Sequence, residues 1–572
     1  MNDKKSTNEL DSSSADYKLS KGIDRRSFLG KTTKMAGLAI GASLVGSIPG
    51  FSVEAASRSS VMQSTGKKPY LVFPVISDVH IYSSNDRNLN KFTTTLQQLN
   101  AIAPNQDAFA VVGDLTENGY EDQFDRFMSV YNGNKQKNAV SLMAIGNHDY
   151  WNGLSVSGAQ NRFLTKTGME SIYFHKVIKG YHFIILGTED GVTEGTYSVD
   201  QINWLGERLK EAHEDDPKKP IFVFHHQPMT ETMYGSEWGF SKNRDLMYDT
   251  LKPYPQVITF SGHTHYPLDD PRIIHQEDFT TIGTSTGAYV WLDRGRIQGE
   301  VPAEADVLNQ ALVVEVYENK VLIKPRDIHN NDWTGEPFEI NMPANKQSFK
   351  YTEKRRNKKA PRFPKDAMIS IVNDQSTALS LTVMLTQAKD DLLVHDYKII
   401  AKRADNGKVE KEVLAFSEFY KDPIPNPVTY TVDGLKPNTL YEIEVFALDA
   451  YENESVRTLK TLGKTVEGKE PSITLSKNHV NGVTEAIDVT VENVRNTNGS
   501  DWIGVYEINE NPGSVASIWW QWTNVKEGKV QLTYDPSKNS YPGRYKAGST
   551  YQFIYFYGGG YDVVTTATFT VG

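Results

Sequence analysis

The sequence predicts a layered α/β domain followed by two all-β domains, and three observations carry that prediction. Short β-type apolar runs alternate with amphipathic stretches from about Pro69 to about residue 345. The helical period then disappears. Strand-like alternation takes over to the end of the chain, with Thr/Val runs and glycine turns in its last part. The early runs are Tyr70–Ser77, Ala108–Val112, Val140–Ile145, Tyr181–Leu186, Ile221–Phe224 and Val257–Phe260, all β-branched or aromatic and suited to buried strands. The clearest helix lies between them, over Ser198–His213. Ser198 and Gln201 there make a capping box, and Ile202, Leu205, Leu209 and Ala212 form one apolar face.

These signals place the α/β domain at 68–345. Residues 346–360 carry Lys354, Arg355, Arg356, Lys358 and Lys359 and read as a solvated linker rather than a polyanion-binding strip. Over 361–466, Tyr441, Ile443, Val445 and Ala447 alternate with Glu442, Glu444 and Phe446 as in a half-buried strand. The preceding Leu435-Lys436-Pro437-Asn438-Thr439-Leu440-Tyr441 resembles the corner leading into strand F of a fibronectin type III domain. In 470–572, Asp501-Trp502-Ile503-Gly504-Val505-Tyr506 and the closing Gly-Tyr-Asp-Val-Val are similar to an immunoglobulin-like sandwich. Two independent sandwiches imply that 361–572 can be removed without unfolding the α/β domain. Trp519, Trp520 and Trp522, with Tyr551, Tyr555 and Tyr557, read first as sandwich core. Their other reading is a platform for a cell-surface or polysaccharide contact.

Charge and composition exclude several functions. Asp and Glu outnumber Lys and Arg by 71 to 61, and no basic block dominates the body of the chain, so a nucleic-acid partner is not expected. With no cysteine, disulfides, thiolate metal sites and Cys nucleophiles are impossible. Residues 1–56 read as a polar tail followed by an address. Asp24-Arg25-Arg26-Ser27-Phe28-Leu29-Gly30-Lys31 precedes the weakly hydrophobic Met35–Ile48, then the small residues Ala55 and Ala56. That run of 14 residues is short of the roughly 20 needed to span a bilayer. The layout is that of a signal peptide. Its twin arginine resembles a Tat signal, departing from the usual pattern at Asp24 and Gly30, and implies an exported protein, secreted or on the cell surface.

Five motifs come after predicted strands in order: Asp78-Val79-His80, Gly113-Asp114, Gly146-Asn147-His148-Asp149, His225-His226 and Gly262-His263-Thr264-His265. Strand C-termini are where open α/β sheets bind ligands, so all five can meet on one rim. Carboxylates, imidazoles and one carboxamide without sulfur suit Mn²⁺, Fe, Zn²⁺ or similar ions, and the donors suffice for two divalent transition-metal ions. Adjacent residues of a strand point to opposite faces, so only one of His225 and His226 can ligate. The remaining histidines (175, 182, 213, 275, 329, 395 and 479) lack ligand neighbours in sequence and read as structural or surface residues.

The order D-x-H, G-D, G-N-H-D, H, G-H-x-H resembles the calcineurin-like metallophosphoesterases over roughly 68–345. The resemblance implies a four-layer αββα sandwich with a dinuclear centre at the sheet edge. It implies one ion on Asp78, His80 and His265, a second on Asn147, His225 and His263, and Asp114 bridging them. His148 would be the catalytic acid and Asp149 its orienting partner, with His226 beside the ligands or lining the cleft. Tyr234 and Trp238 fall where members of the family keep substrate-contacting loops. The implied activity is hydrolysis of a small phosphomonoester or phosphodiester. Cyclic nucleotides or glycerophosphodiesters are narrower substrates of the same kind. A surface-binding protein with a vestigial metal site is the reading from another class.

Overall fold

The computed structural model describes residues 68–572 apart from 295–296, 301, 303, 356–358, 496–500, 525–526 and 558–559. The address in residues 1–56 lies outside the described residues. Among the described residues, no helix is long and apolar enough to cross a membrane.

Two sheets face each other at the centre of the α/β domain. The first contains β1 (Leu71–Ile76), β2 (Ala108–Val112) and β3 (Val140–Ala144), extended by β10 (Gln310–Val316), β11 (Lys320–Asp327), β12 (Asp332–Trp333) and β13 (Phe338–Asn341). Its order is β12-β11-β10-β1-β2-β3, with β13 also paired to β11. The second contains β4 (Phe174–Ile178), β5 (Tyr181–Ile185), β6 (Ile221–Phe224), β7 (Val257–Ser261), β8 (Ile274–Gln276) and β9 (Thr280–Gly283). It runs β4-β5-β6-β7-β9-β8.

Strand alternation divides the apolar residues into layers. Phe73, Val75, Ala110, Val112, Phe222, Phe224 and Phe260 meet between the sheets. Val111, Met143 and their neighbours face outward onto α1 (Arg87–Ile102), α2 (Glu121–Asn134) and α3 (Val156–Thr167). Ile221 and Val223 face α4 (Val199–Asp215) and α5 (Arg244–Leu251). The result is the four-layer αββα sandwich. α4 begins as its sequence predicts, with Ser198 Oγ accepting from the Gln201 amide at 3.2 Å. The other half of the box differs: the Gln201 side chain bonds Gly187, and Glu189 takes the Ser198 amide at 2.7 Å.

Two β-sandwiches complete the chain. The first pairs a three-stranded sheet (369–432) with a four-stranded one (394–464), around Leu381, Val383, Tyr397, Ile399, Tyr441 and Val445. The second pairs three strands with five, around Val489, Ile503, Trp519, Tyr534, Phe553 and Phe569.

The stretch expected to be a solvated linker is, in its first part, bound to the α/β domain. Phe349 is buried, the Gln276 amide donates to Tyr351 O at 2.9 Å, and the Lys350 and Tyr351 amides donate to Gln276 Oε1. An aromatic every other residue gives this segment a face to bury, and its basic residues kept that pattern out of view.

The first sandwich is not a pendant unit either. Val290, Leu292, Ala305 and Leu308 of the α/β domain form one apolar cluster with Leu393, Phe416, Phe419, Tyr420 and Ala450. Beside it lies a buried polar group. Asp270 is fully buried and takes Arg272 in a two-pronged pair at 2.9 and 2.6 Å. His395 of the sandwich, itself buried, places Nε2 3.4 Å from Asp270 Oδ2.

Candidate metal centre

The five motif loops leave strand ends of both sheets and converge. Asp78, His80, Asp114, His263 and His265 all have left-handed backbone, with φ of 53°, 49°, 50°, 69° and 60°. Strain of this kind costs on the order of 1–3 kcal/mol per residue and collects at functional sites. Asp and His are among the non-glycine residues that tolerate it best.

Asp114 Oδ2 is the hub. It lies 3.1 Å from His226 Nε2, 3.8 Å from His80 Nε2 and 3.9 Å from His148 Nε2. Asp78 Oδ1 is 3.0 Å from His265 Nε2, and the His263 amide donates to the Asp78 carboxylate at 3.0–3.1 Å. Three overlapping groups of donors form around these carboxylates: Asp78, His80 and His265; His80, Asp114 and His148; and Asp114, His226 and His263. Asn147 is buried at the same rim, its Oδ1 accepting from Gln227 Nε2 at 3.2 Å.

The imidazoles are oriented alike. Nδ1 of His80 meets Glu117 Oε2 at 3.0 Å, and that of His148 meets Glu117 O at 2.8 Å. The Nδ1 atoms of His226 and His265 face Val112 O and Tyr289 O, each at 2.8 Å. A neutral ring donating through Nδ1 carries its lone pair on Nε2. His80 and His265 therefore aim two lone pairs at each other across 3.2 Å, with Asp78 alongside. Only a proton or a metal cation among these atoms relieves that contact, so the donor set fits divalent ions.

The charges agree. Burial opposes ionisation of Asp78 and Asp114, yet His265 beside the first and His226 beside the second hold both carboxyls below the usual range. Burial disfavours charge on His226, but Asp114 outweighs it and lifts the ring to about 9. A proton there stands where a cation would bind, and metal would displace it.

Two sequence expectations need correction. His226, not His225, joins the cluster. Along β6 the even-numbered Phe222 and Phe224 face the other sheet, so His226 continues that face and His225 turns to the helix side. There His225 donates to Gln227 O at 2.7 Å and packs against Tyr197 and Phe240. Gly113 makes room for the His226 ring: a Cβ there would lie 2.3 Å from His226 Nδ1. Asp149 does not orient His148. Its carboxylate instead braces the loops, accepting from the Thr116 amide and hydroxyl at 3.0 and 2.7 Å and from the Gly146 amide at 3.0 Å. Burial, reinforced by Asp114, raises it to about 6.

The residue that orients the rings is Glu117, which sequence reasoning missed. It sits three residues after Asp114 in the same turn and reaches His80 with its carboxylate and His148 with its carbonyl. An acidic residue so close to a ligand motif was the available signal. Tyr234 is buried, its ring between Tyr266 at 4.4 Å and the Arg272 guanidinium at 3.8 Å. Trp238 approaches through Trp291 (5.9 Å), whose amide donates to His265 O at 3.2 Å.

A model of the calcineurin-like phosphoesterase family matches residues 72–267. A 3′,5′-cyclic-nucleotide phosphodiesterase from Nostoc sp. is 24% identical over 201 residues, covering 33% of this chain and 70% of its own. A probable glycerophosphodiester phosphodiesterase from Arcobacter nitrofigilis is 24% identical over 210 residues, with the same coverage of 33% and 70%. Among solved structures, a purple acid phosphatase from yellow lupin seeds aligns at 17% identity and a TM-score of 0.36, over 48% of this chain and 54% of that one.

Proposed function

Since residues 72–267 form a calcineurin-like phosphoesterase domain and the chain is a metal-dependent phosphoric ester hydrolase, we propose that it is an exported enzyme preferring phosphodiesters. The observation that carries the hydrolytic reading is the set of imidazoles tied through Nδ1 with Nε2 turned onto Asp78 and Asp114. The diester preference is supported by the names of the two relatives. Export is supported by Arg25-Arg26 and the apolar run after them. Replacing both arginines by lysine should keep the precursor inside the cell, and unchanged secretion would remove that part of the proposal.

Asp78, His80 and His265 would hold one ion and Asn147, His226 and His263 the other, with Asp114 available to both. Bound there, the ions supply Lewis acidity and a coordinated water of lowered pKa. The chain's own residues do the rest. Glu117 fixes His80 and His148 in the Nδ1–H tautomer. His148 Nε2 then faces the cluster, where it can hold a proton for the departing alkoxide. Burial pushes His148 down to about 4, so the proton must be taken up beside the substrate's negative phosphoryl group, which favours the charged ring.

The test uses Mn²⁺-loaded protein with bis(4-nitrophenyl) phosphate and 4-nitrophenyl phosphate. Faster diester turnover is expected, while equal or slower turnover would remove the diester preference. His226→Ala should lose one metal and nearly all turnover. His225→Ala should keep both metals and fall by roughly 10–100-fold at most. The opposite ranking would return the ligand role to His225.

A further inference from the structure

On the outer face of the second sheet, three donors converge that no part of the reaction uses. His175 lies on the edge strand β4 and His182 on β5. The pairing of His175 with Ile184 and of Val177 with His182 sets the two histidines diagonally on one face. His175 Nε2 is 2.9 Å from His182 Nδ1. Glu211, from the last turns of α4, brings a carboxylate so that one donor atom from each residue lies within 4.8 Å of the others. The second nitrogen of His182 is held as well: Nε2 lies 3.3 Å from Asp215 Oδ2. Glu211 and Asp215 are four residues apart on one helical face, where the helix C-terminus adds negative potential.

We propose that His175, His182 and Glu211 form a third metal site, of the Zn²⁺ class, clamping the β4–β5 hairpin to the end of α4. Two imidazoles and a carboxylate leave a fourth position for water. Asp215 plays the outer carboxylate, accepting from His182 Nε2–H and so presenting the Nδ1 lone pair to the ion. Tetrahedral zinc needs its nitrogens roughly 3.3 Å apart, so the present pair opens by a few tenths of an ångström. The opposing charge is Arg208, which engages Glu211 Oε2 at 2.7 Å.

The full chain, saturated with Zn²⁺ and desalted, should carry about one ion more than His175→Ala treated identically, with phosphoesterase activity equal in the two proteins. Zn²⁺ should also raise Tm by a larger increment in the wild-type chain. Glu211→Gln, on an exposed helix face, should hold the extra ion more weakly. Equal metal content in wild-type and His175→Ala overturns the proposal, and so does a loss of activity in step with metal, which would mean the ion came from the catalytic centre.

Discussion

Both β-sandwiches close with the same device, a tyrosine hydroxyl that accepts from the amide five residues earlier. Tyr441 takes Lys436 at 2.9 Å and Tyr551 takes Lys546 at 2.8 Å. Each also has its own core of aliphatic and aromatic residues. They differ in what lies beyond that core. Among the described residues, the clusters of the second sandwich draw only on those between 473 and 571. The first contributes Leu393, Phe416, Phe419, Tyr420 and Ala450 to a cluster completed by the α/β domain, and places His395 against Asp270. The segment it supports, Val290–Leu292, comes directly after Tyr289, whose carbonyl holds His265. A closed core makes a domain separable. A core continued into a neighbour makes it part of that neighbour.

The largest effect that can break this contrast is deletion. Truncation after residue 466 should leave soluble protein with wild-type phosphoesterase activity. Truncation after residue 360 uncovers Val290, Leu292 and Leu308 and leaves Asp270 and Arg272 without His395, so insoluble or inactive protein is expected. This reverses the expectation drawn from the sequence, that both sandwiches are removable. If both truncations are equally active, the shared cluster contributes nothing to the α/β domain.

A matched pair of cavities sharpens the comparison. Phe419 and Phe553 are both essentially fully buried, one at the junction and one inside the second sandwich. Each Phe→Ala change should cost about 3–5 kcal/mol locally. Only Phe419→Ala should lower the unfolding temperature of the phosphoesterase activity. In Phe553→Ala a separate transition should move while activity loss stays where it was. A shift in activity loss of the same size in both variants would mean that the second sandwich is coupled as tightly as the first.

The features legible in the sequence divide along similar lines. Six strands of the α/β domain and the five motifs that follow them were legible because short apolar runs and compact motifs are local signals, whereas Phe174–Ile178, Ile274–Gln276, Thr280–Gly283 and Gln310–Val316, and the order of strands in either sheet, were not. The choice between His225 and His226 was also written locally, in the parity running from Phe222, but it needed knowledge of which face meets the other sheet. The family resemblance pairs Asp149 with His148, whereas the loop turns its carboxylate to Thr116 and Gly146 and leaves His148 to Glu117. The junction was invisible for another reason. Leu393 and Phe419 look like any core residue, and burial inside a domain has the same composition as burial between two.

The smallest effect concerns charge at the junction. Burial opposes ionisation of Asp270, but Arg272 and His395 outweigh it and hold its carboxyl below the usual range. A depressed carboxyl contributes stability that is present above the unfolded value, about 3.9, and is lost as pH falls through the lower folded value. Asp270→Asn keeps the shape and one acceptor for Arg272 and removes the charge. It should destabilise the α/β–sandwich unit by about 1.5–3 kcal/mol at pH 7, the range for hydrogen bonds to charged groups. The sign of the pH dependence is fixed by the same reasoning: the wild-type chain loses this contribution on acidification and the variant never has it. Denaturation curves taken from pH 7 downward should therefore converge once the pH passes below the carboxylate range, while the transition of the second sandwich stays identical in the two proteins. A gap that persists undiminished below that range would mean that Asp270 acts through shape alone, and that the junction is held by its apolar cluster without help from the ion pair.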